Sequence, residues 1–226
     1  MKVVELIDGR KVVRLPGGSN LTVLDGVMLA VAHAETVAIL GRSGSGKTTL
    51  LSVLGLIEPL TSGTLRVEGQ DVAKMRPTAL ARLRGRLFGV IYQRFFLMDH
   101  LTALENVEAP LVHLPRGARR SRRQRAIEAL QRVGLSERLR HRPAQLSAGE
   151  QQRVAIARAM VHEPAVILAD EPTGSLDQQT GALVSDLLHS LVETNGMALV
   201  IVTHDTGVAA RCQRIIRLDQ GSIAAE

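Results

Sequence analysis

Over the first forty positions, apolar residues come in short runs separated by turn residues. Val3–Ile7 stops at Asp8-Gly9, and Val12–Leu15 stops at Pro16-Gly17-Gly18. Leu21–Leu24 stops at Asp25-Gly26, and Val27–Val31 follows. Runs this short and this close predict an antiparallel sheet. Val37–Leu40 is uniformly apolar, as a buried strand is, and Thr49–Leu56 reads as an apolar helix. Thr64–Glu68 alternates as a strand between Ser62-Gly63 and Gly69, and Phe88–Tyr92 predicts another. From Thr102 to Arg142 the period becomes helical, with Ala126, Ile127, Leu130 and Val133 on one face. Val166–Ala169 and Ala198–Val202 are short enough for buried parallel strands, with a helix at Leu183–Leu191 between them. Strands alternating with helices predict an α/β fold, with an antiparallel β portion at the front and a helical block inserted in the middle.

The break after Val37–Leu40 carries the strongest chemical signal. Gly41-x-x-x-x-Gly46-Lys47-Thr48 places two fixed glycines, a lysine and a hydroxyl between a strand and a helix. This is the P-loop pattern. Its backbone N–H groups close around phosphates, Lys47 reaches the β- and γ-phosphates, and the Thr48 hydroxyl suits Mg²⁺.

Three more strand ends carry polar residues. Asp170-Glu171 follows Ala165–Ala169, at the carboxyl end where an open α/β sheet places its chemistry. Asp170 suits Mg²⁺, and Glu171 suits a base or a group that positions water for attack on a γ-phosphate. His204 follows Ala198–Val202 and Thr203, where a γ-phosphate contact is expected. Gln93 ends Phe88–Tyr92 and could orient water or Mg²⁺. Ser147 with Glu150 three residues on is a capping box ahead of Val154, Ile156, Ala157 and Met160. It reads equally as a plain helix start or as a second anion site, since a helix N-terminus with a free hydroxyl attracts phosphate.

Composition changes this picture little. The chain of 226 residues is long enough for one large domain, and with 45 % hydrophobic but 2 % aromatic residues its core must be aliphatic. A single cysteine, Cys212, permits no internal disulfide and suits a reducing compartment. No leader-like or membrane-spanning apolar run stands out, so any membrane role is expected to come through a partner. Ten arginines against Glu128 and Glu137 lie between Arg116 and Arg142, so the net charge of +6 belongs to one arm, and no nucleic-acid partner is expected.

Taken in order, the motifs resemble those of the ATP-binding cassette (ABC) ATPases along nearly the whole chain. They are a Walker A segment GRSGSGKT, a Q-loop Ile91–Gln93 and a signature LSAGEQQR at Leu146–Arg153. A Walker B segment VILADE, a D-loop Ser175–Asp177 and an H-loop Thr203–Asp205 complete the set. LTALENVEAPL, QLSAGEQQRVAIARA and ADEPTGSLD look most like the subgroup of the LolD, MacB and FtsE ATPases.

The resemblance implies a P-loop NTPase core with an N-terminal antiparallel β subdomain and an inserted helical subdomain. Residues 1–92 and 163–226 would form the core and 93–162 the insertion. It implies ATP and Mg²⁺ as ligands. Gly41, Arg42, Ser43, Gly44, Ser45, Gly46, Lys47, Thr48 and Thr49 would hold the nucleotide. Thr48, Gln93 and Asp170 would hold the metal. Glu171 would be the base, His204 the γ-phosphate contact, and Gln93 the coupling residue. Two subunits would pair head to tail, with Ser147, Gly149, Glu150 and Asp177 acting across the interface. A separate transmembrane permease subunit would place the chain on the cytoplasmic face of the inner membrane. Export, lipoprotein extraction and mechanotransmission are the implied roles. An FtsE-like regulatory ATPase and a soluble ABC ATPase are the rivals.

Two positions depart from the pattern. Ala148 stands where a glycine is usual, and as the first helical residue it suits helical dihedrals. Leu15 is the counterpart of the aromatic that usually stacks on the base. The adjacent Phe95 and Phe96 are expected to form a socket for the membrane partner.

Overall fold

The computed structural model describes residues 1–113 and 119–224. Arg116 of the basic arm lies outside them. A four-stranded sheet has the order β2-β1-β4-β5, built from β1 (Lys2–Arg14), β2 (Asn20–Ala32), β4 (Ser62–Val67) and β5 (Gln70–Asp71). Its β1–β2, β1–β4 and β4–β5 pairings are all antiparallel. The four early apolar runs are therefore two long strands. Pro16-Gly17-Gly18 is the turn between these strands, whereas Asp8-Gly9 and Asp25-Gly26 are irregularities inside a ladder, with register shifts on both sides of Gly9 and positive φ at Asp8 (49°) and Gly26 (64°). A bulge needs the same residue types as a turn, so local pattern alone does not separate them.

The larger sheet has the order β10-β9-β3-β8-β7-β6. It comprises β3 (Thr36–Leu40), β6 (Phe88–Ile91), β7 (Val166–Asp170), β8 (Ala198–Thr203), β9 (Arg214–Asp219) and β10 (Ser222–Ile223). All but the β9–β10 pairing are parallel. Alternate residues of its strands enter different cores. Leu168, Val200 and Val202 join one that includes α1 (Lys47–Leu54), α2 (Pro77–Leu87) and the antiparallel sheet. Ile167, Ala169, Leu199 and Ile201 join the other, with α3 (Ala103–Glu108), α4 (Arg119–Arg132), α5 (Ala148–Met160) and α6 (Gln178–Thr194). Burial on both faces is why these strands are uniformly apolar.

Two elements leave weak sequence traces. Helix α2 buries only Leu83 and Leu87 among its arginines, a stripe too thin to stand out. The β9–β10 hairpin alternates, burying Ile216 and Leu218, but it is short and lies at a sheet edge. Part of the basic arm is spent internally. Arg122 donates to the carbonyls of Leu111 and Val112, and Arg125 pairs with Glu163 at 3.4 Å.

Candidate functional site

Parallel pairing brings the polar strand ends to one edge. In register, Leu40 lies opposite Thr203, Val202 opposite Asp170, and Ala169 opposite Ile91. The loop after β3, Asp170-Glu171 after β7, His204 after β8 and Gln93 after β6 therefore meet. They line a cleft of about 800 Å³, together with Val23, Arg42, Ser43, Gly44, Gly46, Lys47, Thr48 and Thr49.

The P-loop owes its shape to close backbone approach. Gly46, the N-cap of α1, has φ 99°, and a Cβ there would lie 2.6 Å from the Val23 carbonyl oxygen. A Cβ on Gly41 would run into the Leu218 carbonyl and lie 2.5 Å from Ser45 Oγ. The turn before β10 braces the loop from behind, since Gly221 N–H donates to Ser45 O while Asp25 N–H donates to Gly221 O. The hairpin missed in the sequence thus shapes the site. No side chain caps α1, so its first N–H groups and positive dipole end remain for an anion.

The charges fit a phosphate chain. Lys47 Nζ donates to Gly41 O (2.8 Å) and Arg42 O (3.0 Å) and pairs with no carboxylate among the described residues. Thr48 Oγ1 lies 3.4 Å from Asp170 Oδ1. Burial raises the Asp170 pKa against its bond from Thr48, Glu171 adds to the rise, and Lys47 opposes it. One carboxylate beside a hydroxyl is the protein share expected where Mg²⁺ would take its other ligands from phosphates and water.

Glu171 is held from three sides. Its Oε2 accepts from Thr203 Oγ1 at 3.1 Å, and its Oε1 lies 2.9 Å from His204 Nδ1. A carboxylate only accepts, so His204 donates there. Its N–H donates to Val202 O. Its φ of 45° is left-handed, which costs a non-glycine residue about 1–3 kcal/mol and persists only where the surroundings impose it. The side chain is 15 % exposed, whereas His204 is 73 % exposed and reaches into the cleft. Thr203 stood in the sequence beside His204 without signalling its role. Its hydroxyl became informative only once β7 and β8 were neighbours.

Ser147, Gly149, Glu150 and Asp177 lie outside the cleft. Ser147 is the exposed N-cap of α5, accepting from Glu150 N–H at 3.2 Å, and Ala148 is the first helical residue. Glu150 returns a bond from Ser147 N–H and takes another from Arg138 Nε, both holding its carboxyl below the usual range. Asp177 caps α6 through Thr180 N–H. A Cβ on Gly149 would lie 2.6 Å from Thr180 Cγ2, so the starts of α5 and α6 are in contact.

Leu15 sits in the β1–β2 turn, bonded to Gly18 and Ser19, and Val23 is the β2 residue that lines the cleft. Phe95 is half-buried and Phe96 is 64 % exposed, edge-on to Tyr92.

The profile of the ABC transporter family matches residues 24–174. The macrolide export ATP-binding/permease protein MacB of Escherichia coli K12 is 50 % identical over 207 residues, as is that of Shigella sonnei. The match covers 92 % of this chain and 32 % of either relative, so the chain spans about a third of their length. A dimeric post-hydrolysis structure of the ATP-binding cassette MJ0796, bound to ADP and Pi, is 40 % identical with TM-score 0.89. That match covers 98 % of this chain and 97 % of the other. The cbiO1 structure from Clostridium perfringens is 25 % identical with TM-score 0.87, covering 99 % and 87 %. With a family profile over most of its length and a cassette matched end to end, this chain belongs to the ABC transporter family as an ATP-binding cassette.

Proposed function

We propose that this cassette binds ATP with Mg²⁺ in the P-loop cleft and hydrolyses it to drive a membrane permease. The observation that carries the reading is the Glu171 carboxylate, fixed by Thr203 and His204 at the edge that also holds Lys47 and Thr48. The N–H groups of the P-loop and α1 cradle the phosphates, and Lys47 supplies the cation. Thr48 and Asp170, with Gln93 nearby, would hold Mg²⁺, which would supply positive charge to offset that of the phosphates. Glu171 orients the attacking water and accepts its proton, while His204 contacts the γ-phosphate.

Nothing in the cleft comes from the exposed start of α5, so that surface is free to meet a nucleotide from outside. Two copies paired head to tail would bring Ser147, Gly149 and Glu150 of each to the P-loop of the other, with Asp177 at the same interface. Residues 93–162 act as a helical subdomain inserted in the core of 1–92 and 163–226. Phe95 and Phe96, just beyond Gln93, form the socket for a cytoplasmic segment of the permease. The chain then works at the cytoplasmic face of the inner membrane. Among the described residues no helix is long and apolar enough to cross it.

Glu171→Gln tests the reading. ATP binding is retained and turnover falls by roughly 10²-fold or more, the usual share of a general base. Lys47→Ala instead loses nucleotide binding. Wild-type hydrolysis by Glu171→Gln overturns the assignment of the base.

A further inference from the structure

We infer that Gln152 is a positioning residue for the catalytic carboxylate, tying helix α5 to the turn that carries Glu171. The inference rests on the reading of Glu171 as the base. Gln152 lies five residues after Ser147 and has no exposed surface. Its Nε2 donates to Pro172 O at 2.6 Å, while its Oε1 is buried with no partner among the described residues. The unpaired Oε1 offsets much of what the bond to the buried Pro172 carbonyl contributes, so the amide adds little net stability and chiefly fixes a position.

What it holds is specific. Glu171 sits at φ 45° directly before Pro172. Backbone bonds anchor Glu171 itself, from its N–H to Val202 O and from Gly174 N–H to its carbonyl. The next carbonyl is anchored by Gln152. The same helix grips a second strand end, where Arg158 donates to Phe95 O (2.8 Å) and Phe96 O (2.6 Å), just past Gln93. Helix α5 therefore carries Ser147 at its start and holds the loops bearing Glu171 and Gln93 along its length. A small shift of α5 when Ser147 meets a nucleotide reaches the base through Gln152.

Gln152→Met keeps length and removes the donor. In the purified chain, kcat should fall roughly ten-fold, since small misplacements of reacting groups cost this order of rate. KM for ATP should stay within about two-fold, and the melting temperature should change little, because the unpaired Oε1 is removed while the Pro172 carbonyl loses its donor. The Gln152→Met/Glu171→Gln double variant should be no slower than Glu171→Gln alone, because a residue acting through Glu171 has nothing left to position. A wild-type kcat for Gln152→Met overturns the inference. So does a loss that comes with a lower melting temperature and multiplies in the double variant. Wild-type turnover by Glu171→Gln alone overturns the reading of the base, and with it this inference.

Discussion

Asp170 and Glu150 are carboxylates whose proton affinities move in opposite directions, and the signs follow from their neighbours. Asp170 is raised, chiefly by burial. Its contribution to stability is present below its unfolded value and is lost as pH rises through the folded one. Burial makes its ionised form costly, a cost that a bound cation offsets. Asp170→Asn should therefore melt above wild type at pH 7 without nucleotide. The gap should shrink as pH falls through the carboxylate range, and the added stability from ATP with Mg²⁺ should drop. A variant that melts below wild type at pH 7 contradicts this account. Glu150 is lowered by the Ser147 N–H and Arg138, so its contribution is present above the ordinary carboxylate value and is lost as pH falls through the lowered one. Sequence reasoning reached both residues because each sits in a short motif. It missed Thr203 and Gln152, whose partners lie 32 and 20 residues away. Such pairings exist only once strands and helices are stacked.

At the scale of elements, two glycines separate local from non-local information. Gly46 is legible in the sequence, because its spacing to Lys47 defines a loop around phosphate. Its left-handed φ and its approach to Val23 O give the reason. Gly46→Ala should leave the fold intact and weaken ATP binding by about ten-fold or more, as a strain of 1–3 kcal/mol placed on the loop implies. Titration of nucleotide measures it. Gly89 carries no motif, yet a Cβ there would run into the Ala159 carbonyl, where α5 crosses β6. No side chain fits there. Gly89→Ala should cost about 1–3 kcal/mol by overpacking, seen as a lower urea midpoint with an unchanged slope. The parallel strands were legible because burial on both faces makes them uniformly apolar. The bulges inside β1 and β2 look like turns in the sequence, since Asp-Gly serves a turn and a bulge equally well.

For the whole molecule, the decisive relation is between two surfaces that do not meet within one chain. The cleft holds Lys47 and Glu171, and the exposed starts of α5 and α6 hold Ser147 and Asp177. If the second surface acts across a two-fold interface, each site is built from both subunits. Lys47→Ala alone gives dimers with no competent P-loop, and Ser147→Arg alone gives dimers with no competent signature. A mixed dimer differs. The subunit carrying Ser147→Arg still has Lys47, and its partner still has Ser147, so one complete site forms. Random pairing of equal amounts makes half the dimers mixed, each with one site of two. The mixture should recover up to roughly a quarter of wild-type turnover if the sites work independently and two-fold pairing holds. An intrasubunit role for Ser147 predicts no recovery, because each chain in the mixture is then defective by itself. Measuring ATPase activity after co-dissociation and re-association of the two variants separates the readings. Activity that stays at the sum of the parents places the signature on its own chain's nucleotide.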